Sequence, residues 1–95
     1  MAIDPNDKEA LTGKGVALYN LGRYNEAITY FDKALVIDPN NIYSLSNKGI
    51  ALGNLGNNNE SITYFDKALV IDPNYELAKN NKDLALGNWT TKVNL

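Results

Sequence analysis

Two pairs of aspartates are the residues of this chain that first suggest chemistry. Asp32 and Asp66 lie 34 residues apart, and Asp38 and Asp72 share that offset. Paired carboxylates can perform general acid–base catalysis when a fold brings them to one site. Here, however, Asp38 and Asp72 each precede a proline, where a helix is expected to end. Asp32 and Asp66 are each followed by a lysine on a face expected to be solvated. The repetition indicates structure, so we predict that the chain is not an enzyme.

Side chains for other common reactions are missing from the sequence. It contains no cysteine and no histidine, which removes thiol chemistry, the commonest metal ligand and the usual proton shuttle at neutral pH. A Ser–His or Cys–His pair is therefore impossible. Gly13-Lys14-Gly15 lies inside an expected helix and does not follow a strand, so it is not a phosphate-binding loop. We predict no catalytic residue, no metal site and no cofactor.

Size and charge restrict the partners. The chain has 95 residues, 44% of them hydrophobic, and a formal net charge of −2. This balance gives no electrostatic reason to bind nucleic acid or anionic lipid. No run of about 18 apolar residues could span a membrane, and the first residues lack the basic and apolar regions of a signal peptide. We therefore predict a cytoplasmic protein with neither nucleic acid nor membrane as partner.

An internal repeat organises the whole chain. The segment Ile28–Asn40 recurs without change as Ile62–Asn74, and aligning Lys8–Asn41 with Ile42–Tyr75 gives 23 identities in 34 positions. A third copy of the segment's end, Ile3-Asp4-Pro5-Asn6, lies 34 residues further upstream. A fixed period of this length predicts a stacked array of identical units. We expect 1–7 to be the tail of a preceding repeat, cut from a longer array. Two repeats at 8–41 and 42–75 follow, and 76–95 should be a C-terminal capping helix and tail.

Each unit has the pattern of two helices. Asp7 is a good N-cap for the first helix, and Gly22 is suited to end it. Tyr24-Asn25 begins a second helix, which Asp38-Pro39 stops. The second unit repeats this plan, and a fifth helix begins near Tyr75. Short connections between helices of similar length favour antiparallel hairpins, which must stack to bury their apolar faces. Beyond Trp89 the pattern fades.

The period and the residue types together resemble the tetratricopeptide repeat family. The matching positions of the first unit are Leu11, Gly15, Leu18, Gly22, Tyr24, Ala27, Phe31, Ala34 and Pro39, and those of the second are Leu45, Gly49, Leu52, Gly56, Phe65, Ala68 and Pro73. The resemblance implies an all-α, right-handed α-solenoid of antiparallel helix hairpins, with about two and a half units and five helices. The family's small residues let the helices of a hairpin approach closely, so we expect Phe31 and Phe65 in the core.

Some positions depart from the family pattern. Asn58 stands where the first unit has Tyr24, and Ser61 stands where it has Ala27. The other departures are charged: Lys79 and Asp83 in the fifth helix, which suit a solvated end cap, and a file of lysines at Lys14, Lys48 and Lys82. We interpret the lysine file as a solvated edge whose apolar stems lie on the stack.

The resemblance also implies a function, which is binding an extended peptide in a concave groove lined by the first helix of each hairpin. The groove residues that match by position are Glu9, Thr12, Val16, Tyr19, Asn20, Tyr43, Ser46, Asn47, Ile50, Asn54, Asn81 and Asn88, with Gly53, Leu77, Asn80, Leu84 and Gly87 beside them. Several of these asparagines recur every 34 residues, so stacking should align them into ladders. Amides can donate to and accept from a peptide main chain. The alternative is that they only keep the surface soluble in a chain with fifteen asparagines.

Two further expectations concern partners. Some family members clamp a terminal carboxylate with lysine, arginine and asparagine, but of the matching positions here only Asn47 fits, and we do not expect such a clamp. The second expectation is an alternative function. The chain is then a structural spacer excised from a longer array, and its exposed ends associate head to tail.

Overall fold

A computed structural model describes residues 7–87, and within this range it has five α-helices and no strand. The helices are α1 (Lys8–Asn20), α2 (Tyr24–Ile37), α3 (Ile42–Asn54), α4 (Asn58–Ile71) and α5 (Glu76–Ala85). Each helix packs against the next in antiparallel hairpins, and α3 also contacts both α1 and α5. The predicted all-α solenoid is confirmed. The expectations for 1–6 and for Asn88, Trp89 and the following tail lie outside the described residues.

The helix ends follow from local side-chain chemistry. Asp7 caps α1 as predicted, and its carboxylate accepts a hydrogen bond from the Glu9 N–H at 3.1 Å. Asn41 caps α3 in the same way, accepting from the N–H groups of Tyr43 and Ser44. After α1 the chain turns at Gly22, whose φ of +77° is a left-handed conformation that glycine adopts without steric cost. These caps set where each hairpin begins and turns.

The core consists of two clusters that each join neighbouring units. One is centred on Phe31 and includes Ala51 of the following unit, and the other is centred on Phe65 and includes Ala78 of α5. Both phenylalanine rings are only 1% exposed. Because a residue of the next unit completes each cluster, neither hairpin buries its apolar face alone.

Gly15 and Gly49 allow the hairpins to close. A methyl carbon built on Gly49 would lie 2.7 Å from Cε1 of Phe65, and one built on Gly15 would lie still closer to the ring of Phe31. Both distances are far below van der Waals contact, so no larger residue fits here while the rings stay in place. The predicted close approach is confirmed.

The predicted solvated lysine edge is wrong for Lys48. Its side chain is only 13% exposed, and its ammonium group lies 2.6 Å from Asp32 of the preceding unit. It also donates to the Tyr64 hydroxyl at 2.9 Å and lies 4.2 Å from the centre of that ring. Burial alone would lower the pKa of Lys48, but the hydrogen bonds to Asp32 and Tyr64 outweigh it and raise the pKa. The lysine is a contact between units.

The same contact repeats one unit further along. Lys82 of α5 lies 2.6 Å from Asp66 of α4, which is the Lys48–Asp32 pair displaced by one period. The sequence analysis places Asp32 and Asp66 on a solvated face. Both are half exposed, but each is paired with a lysine of the following helix hairpin or of α5. Lys14, at the same register in α1, lies over the ring of Tyr30 at 4.7 Å.

Candidate functional site

The first helices α1, α3 and α5 lie side by side and form one face of the solenoid. Two adjoining depressions run along this face, with volumes of about 350 and 360 Å³. They share three lining residues, Tyr19, Ile50 and Asn81. Together they form a groove that crosses all three helices, and we refer to them as the first and the second depression.

The first depression joins residues of both units and of α5. Its lining includes six of the predicted groove residues: Val16, Tyr19, Asn20, Asn47, Ile50 and Asn81. The ring of Phe31 and the side chain of Leu77 complete it. The two amides of Asn47 and Asn81 thus lie on one surface, as the repeat spacing predicts.

The second depression lies beside α5. Among the predicted residues it adds Asn54 to the three shared ones, and Gly53 and Leu84, which the sequence analysis places beside them, also line it. Its remaining lining residues are Asn58, Ser61, Phe65 and Ala85. Leu84 is 61% exposed, so it belongs to this surface.

Some groove amides already have partners within the protein. Asn54 donates one hydrogen bond to the Tyr19 hydroxyl at 2.7 Å and another to the Ile50 carbonyl at 3.0 Å. An amide nitrogen carries two hydrogens, so Asn54 retains only its carbonyl oxygen to accept from a ligand. Asn81 donates to the Leu77 carbonyl at 2.8 Å and keeps one further hydrogen. The surface therefore presents acceptors and donors suited to a peptide main chain.

Four predicted groove residues lie elsewhere. Ser46 is fully buried, and the prediction is wrong for it because α3 has helices on both sides. Thr12 is half-buried, donates to the Lys8 carbonyl and bonds to the hydroxyl of Ser44 at 2.8 Å. Glu9 is exposed near the start of α1, and Tyr43 packs its ring edge against Tyr75, with 6.1 Å between ring centres. Neither depression includes these four residues. Asn88 lies outside the described range.

The second helices contribute residues that the sequence analysis misses. Phe31 forms part of the first depression, and Asn58, Ser61 and Phe65 form part of the second. The available signal was the departure from the family pattern at Asn58 and Ser61. There the second unit has small or polar side chains where the first unit has Tyr24 and Ala27.

The groove has no charge of its own among residues 7–87. Every described residue that lines the two depressions is uncharged. Tyr75, which lines neither depression, has a raised pKa because of burial and the neighbouring Tyr43. This electrostatic character suits neutral polar and apolar ligand groups, because nothing in the lining would neutralise a buried charge.

Comparison with protein families decides the classification. The model of the tetratricopeptide repeat matches residues 9–41 and again 42–75. The chain belongs to the tetratricopeptide repeat family. This family is an interaction fold without catalysis of its own. None of the curated proteins compared with the chain matches it. Within residues 7–87 of this tetratricopeptide repeat chain, no helix is long and apolar enough to cross a bilayer.

Solved structures share the architecture. The chain is similar to the first TPR of Spaghetti (RPAP3) bound to HSP90 peptide SRMEEVD, with 24% identity and a TM-score of 0.82 over 87% of this chain and 66% of that one. It is also similar to the second TPR of Spaghetti, bound to the same peptide, with 19% identity and a TM-score of 0.82 over 93% of this chain and 81% of that one. At this level of identity the likeness shows the tetratricopeptide repeat fold alone.

Proposed function

We propose that this tetratricopeptide repeat chain is a protein-interaction module that holds an extended peptide or partner segment in the groove formed by α1, α3 and α5. The observation that carries the proposal is the pair of adjoining depressions, which share Tyr19, Ile50 and Asn81 and cross three helices. An extended peptide spans about 3.3 Å per residue, so several residues fit along such a groove. We place the module in the cytoplasm, as the sequence predicts, and propose neither nucleic acid nor membrane as its partner.

Recognition in this groove depends on main-chain hydrogen bonds and apolar contact. The carbonyl oxygen of Asn54 and the remaining hydrogen of Asn81 can pair with a peptide N–H and C=O. Val16 and Ile50 supply apolar surface on either side. Because the lining contributed by residues 7–87 holds no lysine or arginine, we propose that the ligand differs from the acidic peptide in the two similar structures.

The experiment is a peptide-display selection on the purified chain, followed by affinity measurements on enriched peptides. The test variant is Val16→Glu, which places a carboxylate in the first depression. The matched control is Val70→Glu, because Val70 is 83% exposed on α4 and lines neither depression. We expect Val16→Glu to weaken binding at least about tenfold, or about 1.4 kcal/mol, while Val70→Glu binds like the parent. Equal binding by both variants would refute the groove.

One observation favours a second function, that of a structural spacer whose ends self-associate. At the α1–α2 end, Leu11, Tyr30, Val36 and other residues line a depression of about 620 Å³. Val36 is 83% exposed there. Sedimentation over a range of concentrations tests this alternative. Association without any peptide, abolished by Val36→Glu, would favour the spacer, and a concentration-independent monomer would exclude it.

A further inference from the structure

We infer that the second depression is a specificity pocket for one aromatic side chain of the bound partner, with tyrosine as the preferred residue. This inference rests on the proposed function, since it concerns a ligand in the same groove. It depends on a difference between the two repeats: the first has two tyrosines, Tyr19 and Tyr24, where the second has Gly53 and Asn58.

The first unit has two aromatic rings at the equivalent positions. Tyr19 and Tyr24 pack together, with 5.2 Å between ring centres. Both rings contact the core cluster that contains Ala27, Phe31 and Ala51. The Tyr19 hydroxyl accepts a hydrogen bond from Asn54 of the next unit. Two aromatic rings therefore cover this part of the core in the first unit.

The second unit keeps the surroundings and loses both rings. One period further along, Gly53 replaces Tyr19 and Asn58 replaces Tyr24. The contact surface is still present, because the positions of Ala27, Phe31 and Ala51 correspond to Ser61, Phe65 and Ala85. All five of these residues, of which Ala85 belongs to α5, line the second depression. The second depression is largely the first one displaced by one period, but it extends further, to Asn58, Ser61 and Ala85, whose first-unit counterparts do not line the first depression.

The empty space is accessible and of suitable chemistry. A Cβ built on Gly53 would lie in ordinary van der Waals contact with Ser61 Oγ, at 3.4 Å, so a side chain can be added here without a clash. Phe65 and Leu84 offer apolar contact to a ring, while Asn58 offers an amide to a polar group. A phenol has an apolar body and a hydroxyl that needs a partner when buried. Tyrosine satisfies both parts of this lining.

The test fills the pocket from within. Gly53→Tyr restores the residue that the first unit has at this position and should occupy the second depression. Gly13→Tyr is the matched control, because Gly13 is helical and exposed, and a Cβ built on it meets nothing within 4 Å. Circular dichroism confirms that both variants are folded. Peptides from the selection are measured in pairs, with the aromatic residue retained or replaced by alanine.

We expect enriched peptides to carry an aromatic residue at a fixed place. The parent chain and Gly13→Tyr should bind the aromatic peptide at least about tenfold more tightly than its alanine partner. In Gly53→Tyr this preference should disappear, because the pocket is full, while the alanine peptide still binds. An unchanged preference in Gly53→Tyr, or peptides without a fixed aromatic, would overturn the inference and leave the groove itself intact.

Two other results have distinct meanings. A selection that enriches no peptide overturns the proposed function and the pocket with it. Tighter binding of the aromatic peptide by Trp89→Ala would show that the chain's own tryptophan, which lies outside the described residues, competes for the pocket. Because the peptide must then enter the same pocket as the tryptophan, that result would support the inference.

Discussion

Replacing Gly15 with alanine should destabilise the chain, although alanine is the better helix former. A methyl carbon at Gly15 would lie 2.7 Å from Cδ1 of Phe31 and 3.0 Å from its Cζ. The ring cannot swing into solvent to relieve this contact, because it is 1% exposed and packed within the first core cluster. Either the ring or the hairpin must therefore shift.

The magnitude follows from two opposing terms. In a helix interior, alanine is favoured over glycine by about 0.8–1.0 kcal/mol. Overpacking a well-filled core costs about 1–3 kcal/mol, and a contact this short belongs near the upper end. The net destabilisation of Gly15→Ala should be about 1–2 kcal/mol, which corresponds to a fall in Tm of about 5–10 °C for a chain of this size.

Gly13→Ala is the matched control, two residues away in the same helix. A Cβ built there meets nothing within 4 Å, so only the propensity term acts and stability should rise by about 0.5–1 kcal/mol. Urea and thermal unfolding followed by circular dichroism measure both variants. The informative quantity is the difference in stability between the two variants, about 1.5–3 kcal/mol, because the substitution and the helix are the same in both.

A third variant tests the cause. In a Phe31→Leu background, Gly15→Ala should cost less, because the smaller side chain leaves room for the methyl group, and residues in contact show a coupling of about 0.5–3 kcal/mol. By comparison, Phe31→Ala should cost about 3–5 kcal/mol through loss of the buried ring. If Gly15→Ala raises Tm as much as Gly13→Ala does, the close approach of glycine and ring is refuted.

Three other predictions concern buried and paired polar groups. Ser46→Ala should leave stability unchanged or raise it by about 1 kcal/mol in urea unfolding, because the buried hydroxyl has no hydrogen-bond partner within residues 7–87; a loss above that size would show a missed partner. Lys48→Ala should cost about 1–2 kcal/mol, more than Lys14→Ala in the same assay, because only Lys48 is shown with both an ion pair and a ring contact; equal costs would contradict this. The hydrogen bonds from Lys8 and from the Asn40 N–H lower the pKa of Asp38. Its ionised form therefore stabilises the folded state above about pH 4, and this stabilisation is lost as pH falls through the lowered pKa. Asp38→Asn should therefore show a smaller fall in Tm between about pH 5 and pH 3 than the parent, and an identical fall would show that the pair adds nothing.

The helices and the core were predictable because the signals for them are local and repeated. Asp7, Gly22 and Pro39 mark helix ends by chemistry that acts within a few residues. Phe31 and Phe65 occur at the same phase of a 34-residue period, and a position that must be buried in one unit must be buried in the next. Stacking of identical units therefore determines most of the architecture.

The contacts between units were less predictable, because one helix's pattern does not show which face meets a neighbour. Lys48 finds its aspartate 16 residues away on the preceding hairpin, and the sequence alone suggested a solvated lysine. Ser46 has the same register as Thr12, yet it is fully buried because α3 is flanked on both sides. The groove was predicted by family resemblance in outline, while its floor from α2 and α4 was not.

The repeated Asp32–Lys48 and Asp66–Lys82 pairs have a genetic consequence. The second unit contributes Asp66 to the interface that follows it and Lys48 to the interface that precedes it. An in-frame duplication of one 34-residue unit would thus create a new interface whose two sides already match, and a deletion of one unit would rejoin sides that match equally well. As far as this ion pair is concerned, the array can change length in a single recombination step without a compensating substitution.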